Sequence, residues 1–227
     1  FQAGTNTYAP VERLRNLYLE ALAHPSVGGI IIGTRPDCIS SEILQLLEDL
    51  SHRHYVAVEY GIESTSDETL RHVNRGHDYA TAANAVAQTK SRGIDVGAHF
   101  ILGLPGDTYD DIISGIETIN ALNLDFVKFH QLQIYRHTPI ADEWHTHPER
   151  FIFAKHFNTE RYANLVVDIL RHLHPSIAVE RFITQAPRHL LLDSPLCGIR
   201  PDDFRKLVVE QMRACGATQG DMNIVIR

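Results

Sequence analysis

The chain has 227 residues, which is enough for one large α/β domain or two small domains. Its hydrophobic content of 44% and charged content of 22% are ordinary for a globular protein, and no apolar run approaches the roughly 20 residues that a membrane helix needs. The net charge of −7 argues against a broad nucleic-acid-binding surface.

Helix and strand signals alternate along the chain. Its first residues, Phe1 to Gly4, are typical of the end of a strand, and because Phe1 is not a start methionine we expect a further N-terminal segment in the natural protein. In chain order, the apolar periodicity then predicts a helix at 11–22, a strand at 29–34, a helix capped by Ser41, a strand at 55–63, helices at 67–73 and 80–92, a strand at 95–103, a helix at 109–122, a strand at 126–134, a helix at 159–174, a strand at 178–184 and a helix at 201–215.

The spacing of these elements predicts the fold class. Strand–helix–strand units of roughly 26 to 40 residues indicate βαβ units and a parallel sheet, hence an α/β fold. The stretch at 136–158 offers the one boundary, and its part at 136–150 is rich in His and Pro, which predicts an irregular connection. We therefore expect a barrel-like body over residues 1–135 and a C-terminal αβα extension over 136–227, packed together as a single structural unit.

The predicted strand at 55–63 carries two acids, Glu59 and Glu63, on one face and apolar side chains on the other. Such acids stand where a buried strand normally has apolar side chains. The same alternation in the other strands turns the apolar faces toward the helices and gathers a set of polar side chains in one common interior, namely Arg35, Glu59, Glu63, His99, Lys128 and His130.

Two interpretations of this interior remain open. Buried charges must pair, reach water or meet a ligand, so the set could be a satisfied network in a solvated barrel mouth. Alternatively, it is a polar ligand site at the C-terminal ends of parallel strands, where α/β barrels place their chemistry. Gly61, Gly97 and Gly103 lie on the same faces and favour the second interpretation, because a missing side chain lets a ligand approach the backbone.

The loop motifs are ambiguous when taken one at a time. Residues 102–108 follow a strand, contain two glycines, and offer Asp107 or Thr108 as a cap for the next helix, as an ordinary βα turn also would. This loop is neither a Walker loop nor a dinucleotide fingerprint. The segments at 74–77 and 4–7 also resemble common turns, and no catalytic triad can be assigned by spacing.

Taken together, five segments resemble the radical S-adenosylmethionine (SAM) superfamily, in the branch shared with the elongator catalytic subunit. Segments 180–187 and 190–196 look like the C-terminal extension of a compact bacterial subfamily. The resemblance covers nearly the whole chain, and although each motif is weak alone, their order and spacing match the family. The five segments are Gly33–Asp37, Val58–Ser64, Asn74–His77, His99–Gly106 and Val127–His130.

This resemblance implies a partial (β/α)6 TIM-like barrel that binds SAM across the C-terminal ends of its strands. The implied cofactor-binding residues are Thr5, Asn6 and Thr7 near the methionine amino group; Glu59 and Glu63 near the ribose and carboxylate; Gly103, Leu104 and Gly106 beside the adenine; Lys128 and His130 near the adenine or the substrate; and Arg35 and His99 from the same interior.

The family's Cys-x3-Cys-x2-Cys loop, whose thiolates hold a 4Fe-4S cluster, would precede Phe1. The cysteines of this chain, Cys38, Cys197 and Cys215, are too far apart to imitate it, so we expect the cluster cysteines upstream and no metal ligand here. Their odd number also argues against a disulfide scaffold and for a reducing cytoplasm, and Cys38 is more typical of a packed thiol. The sequence therefore predicts an N-terminally truncated, inactive fragment.

The leading functional hypothesis is a fragment of a radical SAM enzyme that would generate a 5′-deoxyadenosyl radical with electrons from an external donor and act on an unidentified substrate. Lys128 and His130 are the candidate catalytic residues. A cluster-free barrel lyase or aldolase is an alternative, with Lys128 as the Schiff-base amine and His130 or Glu59 as the proton carrier. A non-catalytic nucleotide-binding module is another. Neither a membrane nor a nucleic-acid partner is expected.

Overall fold

The computed structural model describes residues 1–2, 4–193, 196 and 198–223. Five parallel strands form its main sheet, in the order β1-β2-β3-β4-β6, and a separate pair, β5 and β7, is antiparallel. The strands are β1 (Gly29–Thr34), β2 (Tyr55–Glu63), β3 (Asp95–Leu102), β4 (Phe126–Gln131), β5 (Ile134–Tyr135), β6 (Ala178–Arg181) and β7 (Leu191–Asp193).

At least one helix follows each of the first four parallel strands before the next strand of the main sheet, as expected for right-handed βαβ crossovers. The predicted alternation of strands and helices is confirmed to within a few residues at most boundaries. The helices are α1 (Val11–Leu22), α2 (Ser41–Ser51), α3 (Asp67–His72), α4 (Tyr79–Lys90), α5 (Tyr109–Ala121), α6 (Pro139–Thr146), α7 (Ile152–Lys155), α8 (Thr159–His172) and α9 (Pro201–Ala214).

The apolar face of β2 packs against the helices as the alternation predicts. Val56, Val58, Tyr60 and Ile62 are all buried in the main hydrophobic core. The hydroxyl of Tyr60 lies 2.7 Å from that of Thr89 on α4, so the only polar atom of this side chain has a hydrogen-bond partner inside the core. Because this face packs against the helices, the other face of β2, which carries Glu59 and Glu63, is turned away from them.

Side-chain caps begin several helices. The Thr108 hydroxyl accepts from the backbone N–H of Asp111, whose carboxylate accepts from the backbone N–H of Thr108, which together make a capping box at the start of α5. The prediction that Ser41 caps α2 is wrong by one residue. Ser40 is the cap and accepts from the N–H of Ile43, because Ser40 has the extended backbone that a capping residue needs while Ser41 is already helical.

The irregular connection predicted at 136–150 is also wrong. It contains α6 and the 3-10 helix Pro148–Phe151, and both begin with a proline, which suits the first turn of a helix. The region beyond residue 135 contributes directly to the main sheet, because β6 pairs with β4 in parallel. The strand predicted at 178–184 is therefore the fifth strand of that sheet, and it ends at Arg181.

At the opposite edge of the sheet, the amino group of Phe1 donates to the carbonyl oxygen of Ile31 at 2.9 Å, and the N–H of Gly33 donates to the carbonyl oxygen of Phe1 at 2.8 Å. Phe1 therefore extends the hydrogen-bonding of β1 without forming a regular strand. None of the helices in the described part of the chain is both long and apolar enough to cross a bilayer.

Candidate functional site

The polar face of the main sheet carries a buried cluster centred on Glu59. Register places Glu59 beside Gly97, and His99 beside Lys128, so these side chains project from neighbouring strands. Glu59 is only 1% exposed, and its carboxylate accepts from Lys128 Nζ at 2.5 Å, from His99 Nε2 at 2.9 Å and from Gln2 Nε2 at 3.1 Å. The structure therefore brings together three of the residues predicted to share an interior.

Electrostatics keep Glu59 ionised. Burial alone would raise the pKa of its carboxyl, but the hydrogen bonds from His99 and Lys128, together with the ammonium charge, outweigh burial and hold that pKa at about 2. Lys128 is itself 5% exposed and lies 3.1 Å from a second carboxylate, that of Glu180 on β6. Two carboxylates therefore clamp one ammonium group, which satisfies the charges in the way a buried ion pair requires.

His130 completes the cluster and has an unpartnered nitrogen. Its ring lies 5.3 Å from the ring of His99, measured between centroids. Its Nδ1 atom is buried and makes no hydrogen bond to any described residue. Burial lowers the pKa of His130 to about 3. Electrostatic repulsion from His99, Arg181 and Lys128 adds to this effect. His130 is therefore a neutral imidazole near pH 7, able to accept or donate one hydrogen bond to a ligand.

Glu63 lies at the end of β2, where a bulge interrupts its pairing with β3. Its backbone has a φ of 76°, a left-handed conformation that is uncommon for a residue other than glycine. Its carboxylate lies 3.4 Å from the guanidinium of Arg75, which also donates to the carbonyl oxygen of Gly61. Burial raises the pKa of Glu63, and the electrostatic attraction of Arg75 and His99 offsets only part of that rise.

The three glycines on this face do not leave space for a ligand, contrary to prediction. A Cβ atom at Gly61 would meet Arg75 and Glu63, and one at Gly97 would clash with the ring of Phe126, 2.1 Å away. At Gly103, where φ is 89°, the same position is occupied by Phe157, 2.9 Å away. Side chains of the protein itself fill these spaces, so the glycines serve packing.

The segment at 4–7 is tied to β1. Asn6 donates its side-chain N–H to the carbonyl oxygen of Gly33 at 2.8 Å. Thr7 is 1% exposed, and its hydroxyl lies between the Thr34 hydroxyl and the Cys38 carbonyl oxygen. These polar atoms already have partners within the chain, while Thr5 lies beside them half-buried. Thr5, Asn6 and Thr7 therefore lie along β1 at the edge of the sheet, where Asn6 contacts Gly33, the register partner of Glu59.

Arg35 pairs with Asp37 and not with the Glu59 cluster among the described residues. Its guanidinium donates to both carboxylate oxygens of Asp37, at 2.9 Å and 2.7 Å, in a fork geometry that suits this pair. It also lies against Gly76, where a Cβ atom would be 2.7 Å from an arginine nitrogen. Arg35 and the 74–77 segment thus form a second polar group near the ends of β1 and β2.

The loop after β3 is held by Asp107. Its carboxylate accepts from the backbone N–H groups of Gly103 and Leu104 at 3.1 Å and 2.9 Å. Burial raises the pKa of Asp107 to about 7, against the lowering effect of these two bonds. Gly106 has a φ of 89°, with open space where its Cβ atom would be, so this part of the loop can be approached closely. Asp107 also lines a groove of about 640 Å³ between the loops after β2 and β3.

Sequence reasoning missed four residues of this region. Glu180 could have been found, because it lies on a predicted strand, and Arg75 stands inside a segment that was singled out. Gln2 gave no signal, since its contact with Glu59 joins residues 57 positions apart. Asp107 was recognised only as a possible cap, because its burial depends on tertiary packing.

The described residues contain no group of three His, Cys, Asp or Glu side chains that could hold a metal ion. Cys38 and Cys215 are separate free thiols in this part of the chain, and Cys38 is half-buried. Cys197 lies outside the described residues.

Two family models match the chain. That of the Radical SAM superfamily matches residues 1–119, which is just over half of the 227 residues. The model described as the Radical_SAM C-terminal domain matches residues 124–214. The first match covers β1, β2, β3 and the start of the chain, and the second covers β4 and β6, so the Glu59 cluster spans both.

Relatives with curated sequences match over most of the chain. The uncharacterized protein MJ0486 of Methanocaldococcus jannaschii is 33% identical over 221 residues, which are 97% of this chain and 67% of that protein. Protein YhcC of Escherichia coli (strain K12) is 32% identical over 198 residues, which are 87% of this chain and 62% of that protein. The chain thus spans about two thirds of the length of these relatives.

A solved structure confirms the predicted fold. The archaeal Methanocaldococcus infernus Elp3 with an N-terminus deletion superposes with a TM-score of 0.77 at 20% sequence identity, and the match covers 96% of this chain and 54% of that chain. At this identity the likeness shows the fold alone, which is an α/β partial barrel with five parallel strands.

Proposed function

Because the chain belongs to the radical SAM superfamily, in its Elp3-like branch, we propose that it forms the SAM-binding part of an enzyme that uses a 5′-deoxyadenosyl radical. The observation that carries this proposal is the superfamily match over residues 1–119, since β2 and β3 within that range supply Glu59 and His99 to the buried cluster. As the chain spans about two thirds of its relatives, the activity is proposed for the full-length protein.

The free polar atoms on this face suit SAM. This cofactor carries a sulfonium, an amino group, a carboxylate, ribose hydroxyls and an adenine ring. His130 Nδ1 is a buried atom without a partner among the described residues and could bond to the ribose or the adenine. The Glu63 carboxylate pairs with Arg75 through Oε1 at 3.4 Å, and its Oε2 could accept from the amino group or a ribose hydroxyl. On reductive cleavage the cofactor would supply a radical that abstracts hydrogen from the substrate.

Glu59 has a different part in this proposal. Its carboxylate already accepts three hydrogen bonds, so we assign it the positioning of Lys128 and His99 rather than contact with the cofactor. The Lys128 ammonium group lies between the carboxylates of Glu59 and Glu180 and would present a fixed positive charge on this face. These contacts hold the side chains in place before a ligand arrives, which lowers the entropy cost of binding.

A 4Fe-4S cluster does not fit the described residues, because three nearby thiolates are required and Cys38 and Cys215 are far apart in sequence. We therefore derive no step through a cluster. Cluster cysteines upstream of Phe1, an external electron donor and a cytoplasmic location all stay predictions for the full-length protein.

The test is anaerobic reconstitution of the full-length protein with iron and sulfide, followed by incubation with SAM and dithionite. We expect iron–sulfur absorbance and 5′-deoxyadenosine, detected by chromatography. A reconstituted protein that forms no cluster and releases no 5′-deoxyadenosine would overturn the proposal.

Calorimetry with SAM then tests the assigned residues. His130→Gln and Glu63→Gln should each weaken SAM binding by about tenfold, the effect of losing one hydrogen bond to a charged or buried group. His145→Gln, at an exposed position on α6, is the matched control and should bind like the wild type. Equal affinity in all four proteins would remove His130 and Glu63 from the site.

The cluster-free lyase is less well supported. A Schiff-base lysine must lose its proton to become a nucleophile, and enzymes achieve this with an apolar pocket or a neighbouring cation. Lys128 instead lies between the carboxylates of Glu59 and Glu180, which is the opposite of either arrangement. Borohydride trapping of a carbonyl compound at Lys128 would revive this alternative. No specific observation favours the non-catalytic nucleotide-binding module.

A further inference from the structure

A cavity of about 320 Å³ lies next to the C-terminal end of β4. It is thus at the end of the parallel sheet where the strands terminate. We call it the Arg188–Arg200 cavity, after the two cations among its lining residues. The lining is formed by Gln131, Gln133, Thr184, Gln185, Ala186, Arg188, Leu191, Leu196, Gly198 and Arg200.

A rigid amide frame forms part of the cavity wall. Gln131, the last residue of β4, is 3% exposed; its Nε2 donates to the carbonyl oxygen of Thr184, and its Oε1 accepts from the N–H of Thr184. Gln133 donates to the same carbonyl oxygen at 3.0 Å, and Gln185 donates to that of Ile199 at 2.9 Å. These bonds fix the segment after β6 against β4, so the wall does not depend on loop packing alone.

The charge of the cavity is positive. Among the described residues that line it are two arginines and no carboxylate. Neither Arg188 nor Arg200 makes an ion pair within the described part of the chain. The acids nearest to Arg200 in sequence, Asp202 and Asp203, lie within 3.5 Å and 3.4 Å of Arg205 and Lys206 on their own helix, α9.

This charge differs from that of the whole chain, which is −7. A chain with that net charge repels anions on average, so an anionic ligand needs a local positive site. Guanidinium groups suit this purpose because their planar N–H donors match the oxygens of a phosphate or carboxylate. The absence of a carboxylate from the described lining leaves both arginines available for such a contact.

The cavity is also well placed relative to the Glu59 cluster. Gln131 follows Lys128 by three residues on the same strand, which is about 10 Å along the sheet, and as the last residue of β4 it projects from the face opposite to that of Lys128. A substrate that passes over the C-terminal end of β4 could therefore place an anionic group in the cavity while its other end reaches the region near Lys128 and His130. Both places lie toward the strand ends where partial barrels bind their ligands.

We propose that the Arg188–Arg200 cavity binds the oxyanion end, a phosphate or a carboxylate, of the substrate, and this inference rests on the function proposed above. The two arginines hold the oxyanion, and the amide frame keeps the cavity wall in place. Arg188 and Arg200 are thus specificity residues for an acidic substrate and have no part in cleaving SAM.

The test is calorimetric titration of the full-length protein with inorganic pyrophosphate and, separately, with succinate. These two probes distinguish a phosphate site from a carboxylate site. We expect saturable binding of one of them in the millimolar range or tighter, weakened by about tenfold or more in Arg188→Gln and in Arg200→Gln. Arg188→Lys and Arg200→Lys keep the charge and should retain part of the affinity.

Arg213→Gln is the matched control, because Arg213 is an exposed arginine at the other end of α9. Thermal unfolding of each variant checks that it is folded, and a Gln variant that does not fold is replaced by the Lys variant. The proposal is overturned if the wild type binds neither probe, or if Arg213→Gln weakens binding as much as the cavity variants do. Neither probe needs a cluster or SAM, so failure here and failure of the proposed function are distinguishable.

Discussion

Lys128 and Glu59 illustrate what a buried charge requires. Each is almost fully buried, and each has more than one partner: Glu59 accepts from three donors, and Lys128 contacts two carboxylates. Removing one partner of such a pair leaves the other charge uncompensated, which costs more than the pair itself contributes. The cluster therefore affects stability as well as the proposed binding function.

Lys128→Met should lower the free energy of unfolding by about 3–5 kcal/mol, since the methionine keeps the apolar stem but leaves Glu59 without its ammonium partner. Urea denaturation at pH 7, followed by circular dichroism, measures this. Lys206→Met is the matched control at an exposed position of α9, and it should change stability by less than about 0.5 kcal/mol. Similar losses in both variants would contradict the buried pair.

His130 should make the protein sensitive to acid. Its pKa is about 3 in the folded chain and 6.5 in the unfolded chain, so between these values the unfolded state binds more protons and stability falls as the pH is lowered. The pKa of Glu59, about 2 when folded and 4.5 when unfolded, acts in the same direction between pH 4.5 and 2.

Between pH 7 and pH 5 the wild type should therefore lose about 1–2 kcal/mol of its free energy of unfolding through His130. His130→Gln should not show this loss. Urea denaturation at several pH values in this range measures the slope. His145→Gln, which replaces an exposed histidine, should keep the wild-type slope. A wild-type slope in His130→Gln would show that His130 titrates normally.

At the scale of elements, β3 and β4 fit together through a glycine and an aromatic ring. Gly97 and Phe126 are register partners on these strands, and a Cβ atom on Gly97 would lie 2.1 Å from the ring. The ring takes the space that the missing side chain leaves, which is a packing function that strand alternation alone does not reveal.

Gly97→Ala should lower the free energy of unfolding by about 1–3 kcal/mol through overpacking. The losses of the single variants Gly97→Ala and Phe126→Leu should add up to more than the loss measured in the double variant. The difference, a coupling energy, should be about 0.5–3 kcal/mol. Gly28→Ala has open space at its Cβ position and serves as the control. Strict additivity of the two losses would contradict this contact.

At the scale of the whole molecule, the two predicted regions, 1–135 and 136–227, depend on each other. Strand β6 pairs with β4, Phe157 covers Gly103, and Glu180 contacts Lys128. Both a strand of the main sheet and part of the polar cluster thus come from beyond residue 135. We propose that the chain is a single structural unit.

Residues 1–135 produced alone should therefore lack a cooperative unfolding transition, because β4 would lose its neighbour and apolar surface would be exposed. Circular dichroism during urea denaturation measures this, with the chain of residues 1–227 as the control. A cooperative transition in the shorter chain would show that the boundary at 136–158 separates independent domains.

The sequence by itself determined the strands of the main sheet, their polar faces and the membership of Glu59, His99, Lys128 and His130 in one interior, but not the antiparallel pair of β5 and β7. Alternation of side chains is a local property of the strand backbone, so it can be read without knowing the fold. Helix ends were also local, although the cap of α2 shifted by one residue to Ser40.

Only the tertiary structure decided which partners these residues have. Gln2 and Glu180 reach the cluster from distant parts of the chain, and Arg35 turns to Asp37 instead of joining it. The spaces over the glycines are filled by side chains from other elements, and β6 joins the main sheet. Such contacts depend on strand register and on chain segments that are far apart in sequence, and neither is encoded in a local pattern of residues.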